Sequence, residues 1–430
     1  MRKILLATTA LVGVALYGGT AAAQQQGLQV TMGGYTEFRA GFFDESRRAT
    51  SGTLVNGTSL NPPYAPGDAV RYTRGGTDFD TEWKLNVDAK GKSAEYNVEY
   101  GAHVDLTNTP SATAFNSFVA QNGTMVHTDQ AYVWVSGKWG KALMGDEHGA
   151  SDLFVTAPTV GTGQTGNGAV YTNYLNPGTV FAISPSYIDS DENSTKITYY
   201  TPKLGNDQHK VQFGASYAPN AFNRGQQVSV FRNQITNGSG SSLLLSGPAG
   251  AVPYENMLEF GGKYEGQWSK VGVLASFQVI AADDNNKYTL NGVNTARDFV
   301  GYGLGAQATY AGFTLGGSWY DPGRYMTIAG QNKDQSSWTI GGKYEYQKAA
   351  VAVSYLSGEG YGGVFRTLPT PANPHDNYVK NYQAVGVGAT YSLFPGFVTG
   401  VDAVFFDQDH RVIGHDNDGH VVVLSQRVNF

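Results

Sequence analysis

Apolar and polar side chains alternate with a period of two along most of this chain, in segments of about ten residues, the length a tilted strand needs to cross a bilayer core. The closing segment shows the pattern plainly: Val422, Leu424, Gln426, Val428 and Phe430 fall on one face, and Ser425, Arg427 and Asn429 on the other. A wall between hydrocarbon and water needs that division, because successive strand side chains point to opposite faces. The alternative way to cross, a helix, needs a continuous apolar run of about 18 residues, and beyond the first 23 positions the chain has none.

Those first positions have a different purpose. Arg2 and Lys3 precede an apolar stretch over 4–17, and Ala21, Ala22 and Ala23 then supply the small residues of an A-x-A cleavage site. This is the pattern of a secretory signal peptide, which divides the chain into a leader, 1–23, and a β-barrel domain, 24–430. Loss of Arg2 and Lys3 makes an already negative chain, formally −6, more so, and argues against nucleic acid as a partner. An exported chain with no cysteine has neither disulfides nor a thiol-based metal site or nucleophile. Its 56 glycines, 27 tyrosines and 15% charged residues, with a mean hydropathy of −0.30, are the blend expected of strands that hide apolar residues at alternate positions.

Sixteen segments fit the alternation. In the first, over 28–42, Val30, Met32, Phe38, Ala40 and Phe42 oppose Gln29, Thr31, Tyr35, Glu37 and Arg39. In the second, Phe79, Trp83, Leu85 and Val87 interleave with Asp80, Glu82, Lys84, Asn86 and Asp88, and in the third Tyr96, Val98, Tyr100 and Val104 interleave with Glu95, Asn97, Glu99 and His103. Seven short links (91–93, around Trp139, 203–208, around Gln267, 311–312, around Lys348 and 394–396) alternate with eight long ones (43–77, 107–126, 148–192, 220–253, 284–297, 322–334, 359–379 and 408–419). That parity closes an even-numbered barrel with both termini on the short-turn, periplasmic side. A further strand-like stretch, 179–188, would break the parity and is assigned to the third long link. Aromatics collect at the strand ends: Trp139, Trp268, Tyr310, Phe313, Tyr346, Tyr391, Phe394, Phe397 and Phe430 near the turns, and Phe42, Tyr217, Tyr320 and Tyr355 near the loops, which predicts two interfacial girdles.

Val30-Thr31-Met32-Gly33-Gly34-Tyr35, Tyr199-Tyr200-Thr201-Pro202, the turns Ala311-Gly312-Phe313 and Pro395-Gly396-Phe397, and terminal Phe430 together carry a resemblance. The chain resembles the Gram-negative general diffusion porins, particularly the alphaproteobacterial type. The resemblance implies a sixteen-stranded transmembrane antiparallel β-barrel, a homotrimer in outer-membrane lipid, with a long third loop folded into the pore and passive passage of small hydrophilic solutes and ions. Gln426 departs from the family's apolar terminal stripe; it marks either a trimer-facing position or a weaker assembly signal.

The third link, 148–192, is the longest, and structureless loops of that length usually have a function. Asp146, Glu147 and Asp152 stand at its start and Asp189, Asp191 and Glu192 at its end, while Arg39, Lys84, Lys343 and Arg427 supply lumen-facing cations. Asp146, Glu147, Asp152, Arg39, Lys84, Lys343 and Arg427 are therefore the candidate constriction residues, since opposed charges across a narrow pore set up a transverse field that favours dipolar solutes. The plain alternative for each is a solvated loop end or lumen lining. Inward carboxylates (Glu37, Asp80, Glu82, Asp88, Glu95, Glu99, Glu255, Glu259, Glu265, Glu345) outnumber inward cations (Arg39, Lys84, Lys196, Lys210, Lys263, Lys343, Arg427), which predicts a mild preference for cations.

Other chemistry has less behind it. Residues 161–166 match G-x-G-x-x-G without the flanking strand and helix that a dinucleotide site needs. Asp407, Asp409, His410, His415, Asp416, Asp418 and His420 crowd one hairpin tip with oxygen and imidazole donors suited to a divalent cation such as calcium, but the calcium-loop spacing is missing; no cofactor is otherwise expected. No G-x-S-x-G or comparable nucleophile motif supports an enzyme. Beside the diffusion channel, two readings stay open: a substrate-selective outer-membrane channel or barrel enzyme, and a secreted soluble β-protein.

Overall fold

The computed structural model describes residues 27–46, 76–108, 126–163, 170–175, 193–220, 245–246, 254–284, 289–290, 293–294, 297–325, 327, 331–361, 378–411 and 416–430. The leader, the 179–188 stretch, Asp189, Asp191, Glu192 and His415 lie outside them.

The sixteen barrel strands are β1 (Gln29–Glu45), β2 (Thr77–Ser93), β3 (Val98–Thr107), β4 (His127–Gly137), β5 (Gly140–Asp146), β6 (Thr195–Tyr200), β7 (His209–Asn220), β8 (Tyr254–Trp268), β9 (Val271–Asp284), β10 (Phe299–Tyr310), β11 (Phe313–Asp321), β12 (Ser336–Tyr346), β13 (Ala349–Tyr361), β14 (Tyr378–Phe394), β15 (Phe397–His410) and β16 (Asn417–Asn429). A two-residue extension, Leu204–Gly205, continues β6 along β7. Each strand pairs antiparallel with its sequence neighbours, and β16 pairs back onto β1 from Tyr35↔Asn429 to Glu45↔Gly419. Among the described residues no barrel strand is left as an open edge, so the sheet pairs its backbone within itself, as a wall in lipid requires. Backbone bonds from Gly34 N to Phe430 O (2.9 Å) and from Phe430 N to Gly34 O (3.1 Å) complete the junction.

Short links lie where the pattern puts them, though the first falls at 94–97, three residues beyond its expected place. At 311–312 both residues have positive φ, 50° and 84°, the signature of a tight primed hairpin turn; at 395–396 a proline precedes a glycine at φ 81°, as a type II turn requires.

The alternation is realised physically. On β16, Leu424 and Val428 are 44% and 42% exposed on the outside, while Val421 and Val423, on the inside, are 0% and 1% exposed. The turn-side girdle also forms, with Trp139, Trp268, Tyr310, Phe313, Tyr346, Tyr391, Phe394 and Phe430 all exposed. Tyr320 differs from its expected place in the loop-side girdle: it points inward and is buried with Tyr254, Met257, Ile280 and Phe299. The inner wall is thus not uniformly polar. A second apolar group inside the barrel joins Phe43, Tyr382, Val404, Phe406, Val421 and Val423 with Tyr171, Tyr174 and Leu175 of the third loop. The reason is that a loop lying against the wall excludes water from the side chains beneath it.

Candidate functional site

Two short 3₁₀ turns, Gly149–Leu153 and Val170–Tyr174, punctuate the third loop. Its first arm leaves β5 and runs along the inner wall. Tyr200 of β6 donates to Gly149 O at 2.5 Å, and Ala150 N donates to Ser216 Oγ of β7 at 3.2 Å. Ser216 in turn donates to Glu259 of β8 at 2.8 Å. Val155 N donates to Ser276 Oγ of β9 at 2.8 Å, and Gln307 of β10 donates to Thr156 O at 2.7 Å. The arm reaches β15, where Thr162 N and Thr162 Oγ1 both donate to Asp402 Oδ2, at 2.9 and 2.8 Å. Every wall residue in this series faces the lumen. Glycine makes the approach feasible: a Cβ on Gly305 would lie 1.8 Å from Val155 O, and one on Gly341 2.9 Å from Pro158 O.

The second arm is held by burial instead. Tyr171 and Tyr382 share a hydroxyl–hydroxyl hydrogen bond with both rings enclosed. Burial pushes the Tyr171 phenol up to about 12. Tyr174 packs on Phe43, centroids 6.3 Å apart, and over Gly41.

The candidate acids at the loop's start divide by environment. Asp146 accepts from Thr195 Oγ1 at 2.5 Å. Glu147 is buried, accepting from the Thr198 hydroxyl and, at 2.8 Å, from Gly149 N; desolvation raises its carboxyl above the ordinary range, against the lowering by Thr198, Lys196 and Gly149 N–H. It therefore braces the loop's departure. Asp152 is solvated, 3.0 Å from His148 Nδ1.

The candidate cations are not bare. Arg39, 4% exposed, is clasped by Glu37 (2.7 Å), Glu82 (2.6 Å) and Asp80 (3.2 Å). Tyr35 donates its hydroxyl to Glu82, and the Arg427 guanidinium lies 3.7 Å over the Tyr35 ring. Arg39 and Arg427 thus belong to one network across β16, β1 and β2. Beside it, Lys84 binds Asp129 (2.7 Å) and Asp105 (3.1 Å), and His103 sits between Asp88 (2.7 Å) and Asp105 (2.8 Å), stacked on Tyr132. Lys343 stands apart on β12, 3.2 Å from Glu345. Four strand spacings separate β1 from β5, roughly 19 Å along the wall, so the structure groups Arg39, Arg427 and Lys84 but not Lys343 or the loop acids.

Sequence reasoning set Tyr35, His103 and Glu259 on the inward face without giving them a role, and did not name Asp105 and Asp129 as members of the charged wall or Asp402 as a loop anchor. Inward parity alone identifies Asp105 and Asp402; their partners depend on which strands become neighbours. Among the described residues no set of His, Asp and Glu assembles a metal site, and only the final part of the 161–166 motif, 164–166, is outside them.

A family model described as Gram-negative porin matches residues 7–411. An uncharacterised Rickettsia bellii protein is 22% identical over 290 residues, an alignment spanning 55% of this chain and 64% of that relative, less than two thirds of its length. The outer membrane channel DcaP of Acinetobacter baumannii has a TM-score of 0.54 at 13% identity, over 94% of this chain and 98% of that one. The trimer form of OmpT, an outer membrane protein of Vibrio cholerae, has a TM-score of 0.50 at 10% identity, over 94% of this chain and 100% of that one. At such identities the likeness is one of fold.

Proposed function

The chain belongs to the Gram-negative porin family, as the match over residues 7–411 establishes, and from that premise we propose that it is an outer-membrane channel for passive diffusion of small hydrophilic solutes, with a mild preference for cations. The observation that carries the cation preference is the charged wall of β1–β4. Glu37, Asp80, Glu82, Asp105 and Asp129 surround Arg39 and Lys84, so the cations are spent on pairs and an excess of carboxylates remains. Carboxylate-lined pores concentrate cations and repel anions, and a low-dielectric wall strengthens that field.

The third loop is the narrowing element in this reading. Both arms lie against the inner wall, one by hydrogen bonds and one by buried aromatics, which supports a constriction that is fixed rather than mobile. Assembly as a homotrimer in outer-membrane lipid is part of the same proposal, supported by the trimer form of the Vibrio cholerae neighbour.

Planar-bilayer recording tests it. In a KCl gradient the reversal potential is expected on the cation-selective side, with the preference shrinking as ionic strength rises and the Debye length falls to about 3 Å near 1 M. Anion selectivity, or bilayers left silent, refutes the proposal. Concentration-dependent blockade by a sugar, phosphate or amino acid would reassign the protein to substrate-selective transport.

A further inference from the structure

The charge inside the barrel changes sign along its axis. Around Arg39 and Lys84 the wall is acidic, with Glu37, Asp80, Glu82, Asp105 and Asp129 against those two cations. Nearer the turns it becomes basic. Lys90, Lys141, Lys210, Lys263, Lys343 and Arg427 stand in the turn-side half of β2, β5, β7, β8, β12 and β16, each at the inward parity of its strand.

Carboxylates share that half, but each already has a basic partner: Asp88 with His103 at 2.7 Å, Glu99 with Lys90 at 2.9 Å, Glu265 with Lys203 at 2.7 Å and Glu345 with Lys343 at 3.2 Å. Lys141 and Arg427 lie over rings instead, 5.0 Å from the Trp134 centroid and 3.7 Å from that of Tyr35. Lys210 stands opposite Glu265 in register, yet the two oxygens of Glu265 are held by Lys203 and, at 3.5 Å, by Lys263. Among the described residues Lys141, Lys210 and Arg427 are thus without an ion pair, so the excess charge of the turn-side belt is positive, as that of the wall around Arg39 is negative.

Given the channel reading, on which this rests, we propose that the axial change of sign makes the pore rectify, passing more current when the loop side is positive than when the turn side is. Each zone gathers its own counter-ion: cations along the acidic wall, anions at the basic belt. A positive loop side drives cations through the acidic zone towards the turns and anions through the basic zone towards the loops. Both carriers then accumulate where the zones meet, and conductance rises. The opposite potential draws both away and depletes that junction. The zones do not cancel, because Glu82 and Lys90 lie eight residues apart on β2, roughly 26 Å along the strand, against a Debye length of about 8 Å at physiological ionic strength. The asymmetry resides in fixed side chains, so it follows the voltage at once and needs no movement of the third loop.

The test is the instantaneous current–voltage curve of single channels of the full refolded chain in symmetric KCl, read before any slow closure. A94C, at an exposed position of the 94–97 turn in a chain with no other cysteine, carries a biotin, so that streptavidin added to one chamber identifies the turn side. At about 0.1 M KCl the current with the loop side positive is expected to exceed that with it negative by roughly 1.5-fold, and the ratio to approach one at about 1 M, where the Debye length is about 3 Å. K141Q/K210Q, which neutralises two half-buried lumen cations, should bring the low-salt ratio to within about a tenth of one and raise the cation preference in a salt gradient. K210Q alone should give an intermediate ratio, and far-UV circular dichroism checks that each variant keeps the barrel. A larger current with the turn side positive, a wild-type low-salt ratio within about a tenth of one, or a ratio unchanged in K141Q/K210Q overturns the proposal while leaving a conducting channel. Silent bilayers overturn the channel reading and this one with it.

Discussion

Replacing Asp402 by alanine should free the middle of the third loop from the wall. Asp402 is 1% exposed, and its Oδ2 accepts from both Thr162 N and Thr162 Oγ1. Hydrogen bonds to a charged acceptor contribute about 1.5–3 kcal/mol each. Two that share one oxygen fall toward the lower figure, so the anchor amounts to about 3 kcal/mol. At 1.4 kcal/mol per factor of ten, that is an increase of about a hundredfold in the population with residues 160–163 detached. The adjoining turn supplies the reporter, since Gly163 N donates to Val160 O at 3.1 Å and is not itself a partner of Asp402. Hydrogen-exchange mass spectrometry on peptides spanning 155–163 should show its protection falling by about that factor in D402A. D402N, which keeps an acceptor without the charge, should fall in between. Barrel integrity is checked by far-UV circular dichroism, and single-channel traces of D402A should become noisier. Protection within about twofold of wild type, together with unchanged current noise, would refute the assignment of Asp402 as an anchor.

R39Q leaves Glu37, Asp80 and Glu82 without their guanidinium, so the reversal potential should move further toward cation selectivity, and breaking a buried pair should cost about 3–5 kcal/mol of thermal stability; an unmoved potential would disconnect this wall from conduction. G41V places a branched side chain where even a Cβ alone would lie 2.2 Å from Tyr174 Cδ1, so exchange over 170–175 should rise, at a cost of about 1–3 kcal/mol, while 155–163 stays protected. Deleting Phe430 removes the two backbone bonds to Gly34 that finish the junction of β16 and β1, and the refolded barrel should lose about 1–3 kcal/mol, read as a lower unfolding midpoint.

The wall of the barrel was legible because its physics is local. Period-two alternation tells which face Leu424 or Arg427 takes without reference to any other strand, and link length tells which end of a strand is which. The turn-side girdle followed from the same rule. Tyr320 was misplaced because an aromatic near a strand end satisfies an interfacial belt and an inner cluster equally well; only Tyr254, Ile280 and Phe299, from other strands, settle the difference. Gly305, Gly341 and Gly41 left a trace that went unread: glycines at lumen-facing positions on separate strands mark the track on which the loop lies.

The candidate charges were less legible for a related reason. Arg39, Lys84 and Arg427 were correctly set inside the barrel, but a charge's role depends on what stands across from it, and that depends on strand register. Pairing Arg39 with Asp80, and Tyr35 with Lys84, brings Glu82 and its neighbours under the guanidinium, which turns an apparent bare cation into the centre of an acidic network. Alternation along each strand and the spacing of short and long links were enough to give the barrel, its strand number, its polarity and the face each side chain takes, because both are local properties of the chain. Which charges are neutralised, how the third loop is fastened and which inward residues are buried depended on the tertiary structure, because each is a contact between segments that the chain brings together only when the sheet closes on itself.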